Sequence, residues 1–434
     1  MKKIYLSVIG FTFICRLSTQ AQLKNTSRDT AFTRPVVSLY TPVQDSSDYD
    51  PRRLRLDEVN IVSSYYTQDG NHSPITGGIG TEKVTDFANG IELKLVWFGN
   101  NNNKNTISAA LGVDHHTSAS AAFVSTTGAS KTGGSRIYPS FDWTIEKAHT
   151  GNSFGIGTYY STEYNYKSFG ADVHFSLKTP SKNGEFNAKL QGYFDQVTLI
   201  YPSEFVPKTT VSTTTTIVTS ASGSSSSGGS SEASIPSSPR NTYTASLSYS
   251  QMINSRLQMM FLLDVVGQDG YLSLPFHRVY FTTGKDTIEH LPSSRFKLPL
   301  GFRLNYFMGD NLIIRSYYRY YTDNWGTNSN TINLEVPYKI SPFFSISPFY
   351  RYYTQSAAKY FAPYGVHTVS EEYYTSNYAY SKFQSSFFGA GIRIAPPKGV
   401  LGWQNLHDME IRYGHYSQTT GLASDVISAS FSFK

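Results

Sequence analysis

The stretch Lys297-Leu298-Pro299-Leu300-Gly301-Phe302-Arg303-Leu304-Asn305-Tyr306 puts an apolar residue at every second position, with Lys, Pro, Gly, Arg and Asn between. Side chains of a β-strand alternate across the sheet, so this run has one apolar and one polar face. The same period returns in Phe154, Ile156, Thr158, Tyr160; in Ala171, Val173, Phe175, Leu177; and in Ile427, Ala429, Phe431, Phe433. A soluble sandwich alternates too, but buries its apolar faces against each other. An export signal, aromatic-rich strand ends and alternation that runs to the last residues favour a closed barrel with lipid outside and water inside.

Lys2 and Lys3 precede a short apolar core, Leu6 to Cys15, and Thr19-Gln20-Ala21 supplies a cleavage site. Residues 1–21 therefore read as a secretory signal, with Arg16 an unusual intrusion after the core. That core is too short to span a bilayer as a helix. Cys15 is the sole cysteine and lacks the preceding Leu-small-small sequence of a lipoprotein site. Its loss with the signal excludes disulfides, thiol catalysis and cysteine metal sites. The formal charge of +6, less the three charges of Lys2, Lys3 and Arg16, leaves +3, too modest to point to nucleic acid. Mean hydropathy is negative, and no later stretch is long and apolar enough to be a spanning helix. A helical membrane protein is thereby excluded. A barrel is not, because its lumen and loops are polar. The 33 tyrosines and 28 phenylalanines suit the two aromatic belts of such a barrel.

Residues 22–50 read as an irregular periplasmic lead and 51–434 as the barrel. Strands are expected near 54–66, 89–98, 105–114, 136–146, 153–162, 168–178, 185–198, 241–251, 256–266, 297–308, 311–322, 331–340, 343–354, 384–395, 406–416 and 423–433. The fold class is thus all-β, a transmembrane antiparallel up-and-down barrel of about sixteen strands, with long external loops and short periplasmic turns. Connection lengths agree: short ones such as Gly309-Asp310 alternate with long ones at 67–88, 115–135, 199–240, 267–296 and 355–383. Within the first strand Leu54, Leu56, Val59 and Ile61 change parity, which a bulge would cause. Residues 208–239, dominated by Ser, Thr and Gly, cannot bury a core and read as a solvated external loop. The terminal run ending Ser430-Phe431-Ser432-Phe433-Lys434 resembles the assembly signal of outer-membrane barrels, although Lys434 stands where an aromatic is commonest.

The alternation names the inward residues. Early strands supply an acidic wall of Asp114, Asp142, Glu146, Asp172, Asp195 and Asp264. Late strands supply a basic wall of Arg303, Arg315, Arg319, Arg351, Arg393 and Arg412. Opposed charge across a narrow lumen makes a transverse field that sets ion preference. The alternative is that arginine–carboxylate pairs only brace the wall. The repeats Ser316-Tyr317-Tyr318-Arg319-Tyr320-Tyr321-Thr322, Phe349-Tyr350-Arg351-Tyr352-Tyr353-Thr354 and Ile411-Arg412-Tyr413-Gly414-His415-Tyr416 put outward tyrosines in a girdle and arginine inside.

Other motifs carry less. Adjacent strand residues face opposite ways, so His115 and His116 cannot share one metal site with Asp114. Ile75-Thr76-Gly77-Gly78-Ile79-Gly80-Thr81-Glu82 lacks the Lys-Ser/Thr of a phosphate loop and reads as a tight loop tucked into the mouth. His415-Tyr416-Ser417 resembles the His and Ser of an outer-membrane phospholipase, but the Asn of that enzyme is missing and Gln418 is no clear substitute.

The segments Ser64-Tyr65-Tyr66-Thr67-Gln68-Asp69-Gly70, Thr76-Gly77-Gly78-Ile79-Gly80-Thr81-Glu82 and Val113-Asp114-His115-His116-Thr117-Ser118-Ala119-Ser120, with the arginine–tyrosine repeats, resemble a family of uncharacterised outer-membrane barrel proteins catalogued as a domain of unknown function. The resemblance covers most of the chain after the signal. It implies an envelope setting, and for relatives encoded beside flavin-transferase and thioredoxin-like proteins a redox one. It carries over no functional residues.

The expectation is an outer-membrane pore or conduit for a small hydrophilic solute, with loops 67–88 and 115–135 as candidate constrictions. The alternative is a non-conducting barrel that anchors or scaffolds an envelope complex, and a remote third is a lipid hydrolase. The leading reading is not an enzyme and needs no cofactor or metal. Its expected partners are outer-membrane lipid, the barrel-assembly machinery and an unidentified envelope protein, with no nucleic acid.

Overall fold

The computed structural model describes residues 53–117, 134–163, 166–202, 205 and 236–434. The expected signal, the lead, residues 118–133 of the second candidate constriction and residues 208–235 of the Ser/Thr/Gly loop lie outside the described residues.

Each alternating run is a strand. The wall begins with β1 (Arg55–Asp69), β2 (Val84–Phe98), β3 (Lys104–His116), β4 (Gly134–Glu146), β5 (Ser153–Glu163) and β6 (Tyr166–Lys178). It continues with β7 (Gly184–Thr198), β8 (Ser237–Asn254) and β9 (Leu257–Gly270). A two-stranded hairpin, β10 (Arg278–Tyr280) and β11 (Asp286–Ile288), stands apart from it. The wall resumes with β12 (Ser294–Met308), β13 (Leu312–Asp323), β14 (Asn328–Glu335), β15 (Tyr338–Ser341), β16 (Phe344–Gln355), β17 (Phe383–Ile394), β18 (Leu406–Gln418) and β19 (Ala423–Phe433). All neighbouring wall pairs are antiparallel, and β1 pairs with both β2 and β19, so the sheet closes and has no edge.

The wall counts sixteen strands because β14 and β15 form one interrupted strand. Leu334 faces Tyr350 and Tyr338 faces Ile346, so the register is the same on both sides of the gap. The gap falls at Pro337, which has no N–H to give the ladder, while its carbonyl still accepts from Ile313 N at 3.0 Å. The bulge expected in the first strand is present: Leu56 pairs with Leu95 and Glu58 with Lys94, leaving Asp57 as the extra residue.

The apolar residues are on the outside. Ile156, Val173 and Leu190, cross-strand neighbours on β5, β6 and β7, are 41%, 43% and 55% exposed. Such a surface is satisfied by acyl chains and not by water. Exposed Tyr160, Phe169 and Tyr243 girdle one end of the wall, and Phe154, Phe175 and Tyr338 the other. Outward Tyr318, Tyr350 and Tyr413 of the three repeats join this surface, as their spacing predicts.

Short turns gather at one end of the wall, together with the start of β1 and the end of β19. The long connections are at the other, with short ones there only after β5, β13 and β18. Strands run further into that loop end than the sequence suggests: β2 takes in Val84–Ala88, and β8 takes in Ser237, Ser238 and Pro239 from the Ser-rich segment.

Candidate functional site

Alternation places both sets of charged residues on the inner face. On the acidic side three of the six carboxylates have a lysine or arginine on their own wall. Arg136 donates to Asp114 at 2.8 and 3.1 Å. Lys178 reaches Glu146 at 3.2 Å, and Lys189 reaches Asp172 at 2.9 Å. Asp142 accepts from Thr144 Oγ1 at 2.9 Å. Asp195 is buried and engaged by Ser168 and Tyr166. Asp264 forms no ion pair among the described residues.

The basic side divides in two. Near the turn end arginines are neutralised: Arg393 binds Asp408, and Arg412 binds Glu335 at 3.0 Å and Glu410 at 2.7 Å. Arg315 lies 3.8 Å from Glu335. Further along the lumen ion pairs are fewer. Arg351 has the amide of Asn333 at 3.4 Å and the ring of Phe387 at 5.8 Å. Arg303 lies over Tyr317 at 5.7 Å. Arg319 and Lys297 make no ion pair among the described residues. Lys297 sits in the field of three guanidiniums, Arg295, Arg240 and Arg319, with Asp323 the opposing charge. Asp323 is already saturated, accepting from Arg295, from Tyr321 OH at 2.7 Å and from Thr327 N at 2.9 Å. Nε and Nη2 of Arg240 are buried and have no hydrogen-bond partner among the described residues. Lys297, Arg240 and Arg295 are not among the inward residues named from the sequence: Lys297 opens its expected strand, and Arg240 and Arg295 lie in the parts of β8 and β12 that extend beyond the expected strands.

Above this group the loops meet over the mouth. In the ring order β1 and β2 stand eight strands away from β9 and β12, on opposite sides of the barrel. Yet Arg278, in the connection after β9, donates from Nη1 to the carbonyl of Ile75, in the connection after β1, at 2.8 Å. Tyr280 lies against Gly77. The connection after β16 closes the third side: His72 stacks on Tyr378 at 3.7 Å, and Tyr280 packs on Tyr364 at 4.6 Å. Gln355 at the end of β16 ties this connection down through the carbonyls of Ala379 and Ser381, at 3.0 and 2.6 Å.

The cap has its own interior. Ile75, Phe276, Val279 and Thr375 are at most 1% exposed. Glu289 spans two loops, accepting from Leu274 N at 2.7 Å and Thr375 Oγ1 at 2.6 Å. Gly77, Gly78 and Gly80 take φ of 79°, 88° and 89°, the left-handed values that the glycine-rich motif was expected to need. Glu82 closes the segment, its carboxyl pushed up to about 7 by burial, against the His72 backbone amide that holds it down. The expectation that residues 75–82 form a tight loop tucked into the mouth therefore matches the geometry, while Thr67–Asp69 and Val84–Ala88 of the candidate constriction belong to β1 and β2.

His115 and His116 separate as alternation requires. His115 is exposed and bonds Ser135 Oγ at 2.9 Å. His116 is buried, 3.4 Å from Glu163. His415 and Ser417 face outward, and His415 Nδ1 bonds Asp425 on β19 at 2.8 Å. Asp425 also accepts from Tyr413 OH at 2.7 Å, while Ser417 Oγ makes no hydrogen bond among the described residues. An aspartate, and not the Asn of the phospholipase, thus stands beside His415, within a polar cluster of the girdle and without an engaged nucleophile. Gln418 points inward, to Tyr416 OH at 2.8 Å.

A family described as Protein of unknown function (DUF3570) matches residues 133–423. No curated relative matches the sequence. Among solved structures, a loop-deletion variant of the outer-membrane protein OmpT of Vibrio cholerae is 8% identical with a TM-score of 0.43, over 88% of this chain and 99% of that one. A BenF-like porin from Pseudomonas fluorescens is 8% identical with a TM-score of 0.40, over 87% and 98%. OprD from Pseudomonas aeruginosa is 8% identical with a TM-score of 0.40, over 88% and 93%. The barrel is established by the closure of this chain's own sheet and needs none of these likenesses.

Proposed function

The chain belongs to the family described as Protein of unknown function (DUF3570), and from that premise and its lumen we propose that it is a gated outer-membrane conduit for small hydrophilic solutes, with a preference for anions. The observation that carries this reading is the inner face: a continuous polar wall on which Lys297 of β12 and Arg319 of β13, just beneath the cap, make no ion pair among the described residues. A barrel of sixteen strands is wide enough to keep an aqueous channel. The outward apolar belt with aromatic girdles supports placement in a bacterial outer membrane, the membrane that such barrels occupy. Lys297 and Arg319 would attract an anion and hand it on to Arg303, Arg315 and Arg351.

Planar-bilayer recordings test the reading. Removing residues 71–82 should raise single-channel conductance, and replacing Arg315, Arg319 and Arg351 together by glutamine should shift the reversal potential toward cations. Reversal potentials indifferent to the triple change would remove the anion preference. A barrel that stays non-conducting even without 71–82 would remove the conduit. The second reading, a non-conducting anchor for an envelope complex, is favoured by one feature, the cap that crosses the whole mouth, and the same recordings decide between them.

A further inference from the structure

On the inner face of β4, β5 and β6 two rows run side by side, Asp142–Gly157–Asp172 and Thr144–Gly155–His174. The middle strand contributes no side chain to either row. A Cβ at Gly157 would stand 2.5 Å from Asp172 Oδ2, and one at Gly155 would stand 2.7 Å from Thr144 Oγ1 and closer still to His174 Nε2. Side chains of β4 and β6 therefore lie down over a bare floor and meet across β5.

Hydrogen bonds then assign the atoms. Thr144 Oγ1 lies 2.9 Å from Asp142 Oδ1 and 3.0 Å from His174 Nε2. A carboxylate only accepts, so the single hydroxyl proton goes to Asp142, and the hydroxyl oxygen accepts from Nε2–H. Lys189 Nζ holds Asp172 Oδ2 at 2.9 Å. Three further atoms face one another: His174 Nδ1, Asp172 Oδ1 at 3.0 Å from it, and Asp142 Oδ2 at 3.8 Å. One ligand atom from each of the three residues lies within 4.8 Å of the others. In a neutral imidazole with Nε2 protonated, Nδ1 carries a lone pair. Three lone-pair atoms at this spacing repel unless a cation joins them.

We propose that Asp142, Asp172 and His174 bind a divalent first-row transition-metal ion through those three atoms. One imidazole nitrogen and two carboxylate oxygens suit Zn²⁺ and its neighbours, and such a set leaves coordination positions open to the lumen. The surroundings are those of a metal site's outer layer: Thr144 fixes the imidazole tautomer, and Thr144 and Lys189 hold the spare carboxylate oxygens. With a neutral imidazole, two aspartates and one lysine leave a net negative patch, which a dication would reverse. The site stands on wall geometry and does not depend on conduction. The rival occupant is a proton on Nδ1, which would make His174 an imidazolium between two aspartates.

The test uses the full folded barrel in detergent, stripped of metal and titrated near neutral pH with ZnCl₂ by calorimetry. A single Zn²⁺ should bind per barrel, more weakly as pH falls. H174Q and D172N should each lose about tenfold in affinity or more. G157A should lose as much, because its methyl group displaces the Asp172 carboxylate, and it retains all three ligand residues, so the loss would come from their placement and not from removed chemistry. Heat-modifiable migration confirms that each variant is folded. Co²⁺ in place of Zn²⁺ should give visible absorption that H174Q abolishes. Absence of Zn²⁺ uptake by the folded wild type, or uptake unchanged in both H174Q and D172N, overturns the assignment. So does a His174 ring that is doubly protonated near neutral pH and whose resonances Zn²⁺ does not move.

Discussion

Arg278→Ala should loosen the cap. Arg278 is 5% exposed and its guanidinium donates to Ile75 O at 2.8 Å, between segments anchored on opposite sides of the barrel. A hydrogen bond from a charged donor contributes about 1.5–3 kcal/mol net. At roughly 1.4 kcal/mol per tenfold, its loss should raise the fraction of time the connection after β1 is open by roughly 10- to 150-fold. Hydrogen exchange of the barrel in micelles reads this directly. The amides of Ser73, Thr76 and Gly78 donate to Gly80 O, Ser73 O and Ser73 O at 3.1, 3.2 and 2.9 Å, so their protection reports whether the segment is folded. Those amides should exchange faster by that factor while amides in β5 and β6 are unaffected. Arg278→Lys, which keeps the charge and loses the planar fork, should fall between. Protection unchanged within about twofold in the alanine variant, with the wall intact, would refute the idea that this contact ties the two sides together.

Gly78→Ala should have a related effect, because φ is 88° and the new Cβ would stand 2.6 Å from Ser376 O; a loss on the order of 2 kcal/mol in local stability should appear as faster exchange on both sides of that contact. Glu82 should make the cap pH-sensitive. Its folded pKa, raised from 4.5 to about 7, means that the folded loop holds more protons, so stability is highest below the lower value and falls as pH rises through that window. The full change is about 3 kcal/mol, and protection of residues 70–83, corrected for intrinsic exchange, should fall from acid to neutral pH in the wild type and stay level in Glu82→Gln. On the outer surface, Val173→Arg should cost about 2–4 kcal/mol in urea unfolding from lipid vesicles, whereas Ser248→Arg on the lumen face should be nearly neutral; equal costs would contradict the assigned facing.

The wall was legible because its information is local. Period two names each strand, and the parity change between Leu56 and Val59 marks the bulge that the register places at Asp57. The outer face follows from the same period, since Leu300, Phe302 and Leu304 must share a side. The cap was less legible. Its glycines announced a tight loop, but nothing near Ile75 in sequence points to Arg278, 203 residues away. The β10–β11 hairpin was hidden inside a long connection because three-residue strands carry too little period to see. His174 was passed over because a single histidine in a strand looks ordinary. Its signal lay one strand away, in Gly155 and Gly157, two inward positions without side chains whose neighbours therefore reach across.

A tie between two points on opposite sides of a ring is a strut. While Arg278 holds Ile75, the cross-section of the barrel is braced along one diameter near its loop end, and squeezing the wall into an ellipse must either strain that tie or break it. Lateral pressure from the surrounding bilayer, or a neighbour leaning on the wall, would then be felt at the aperture without touching it.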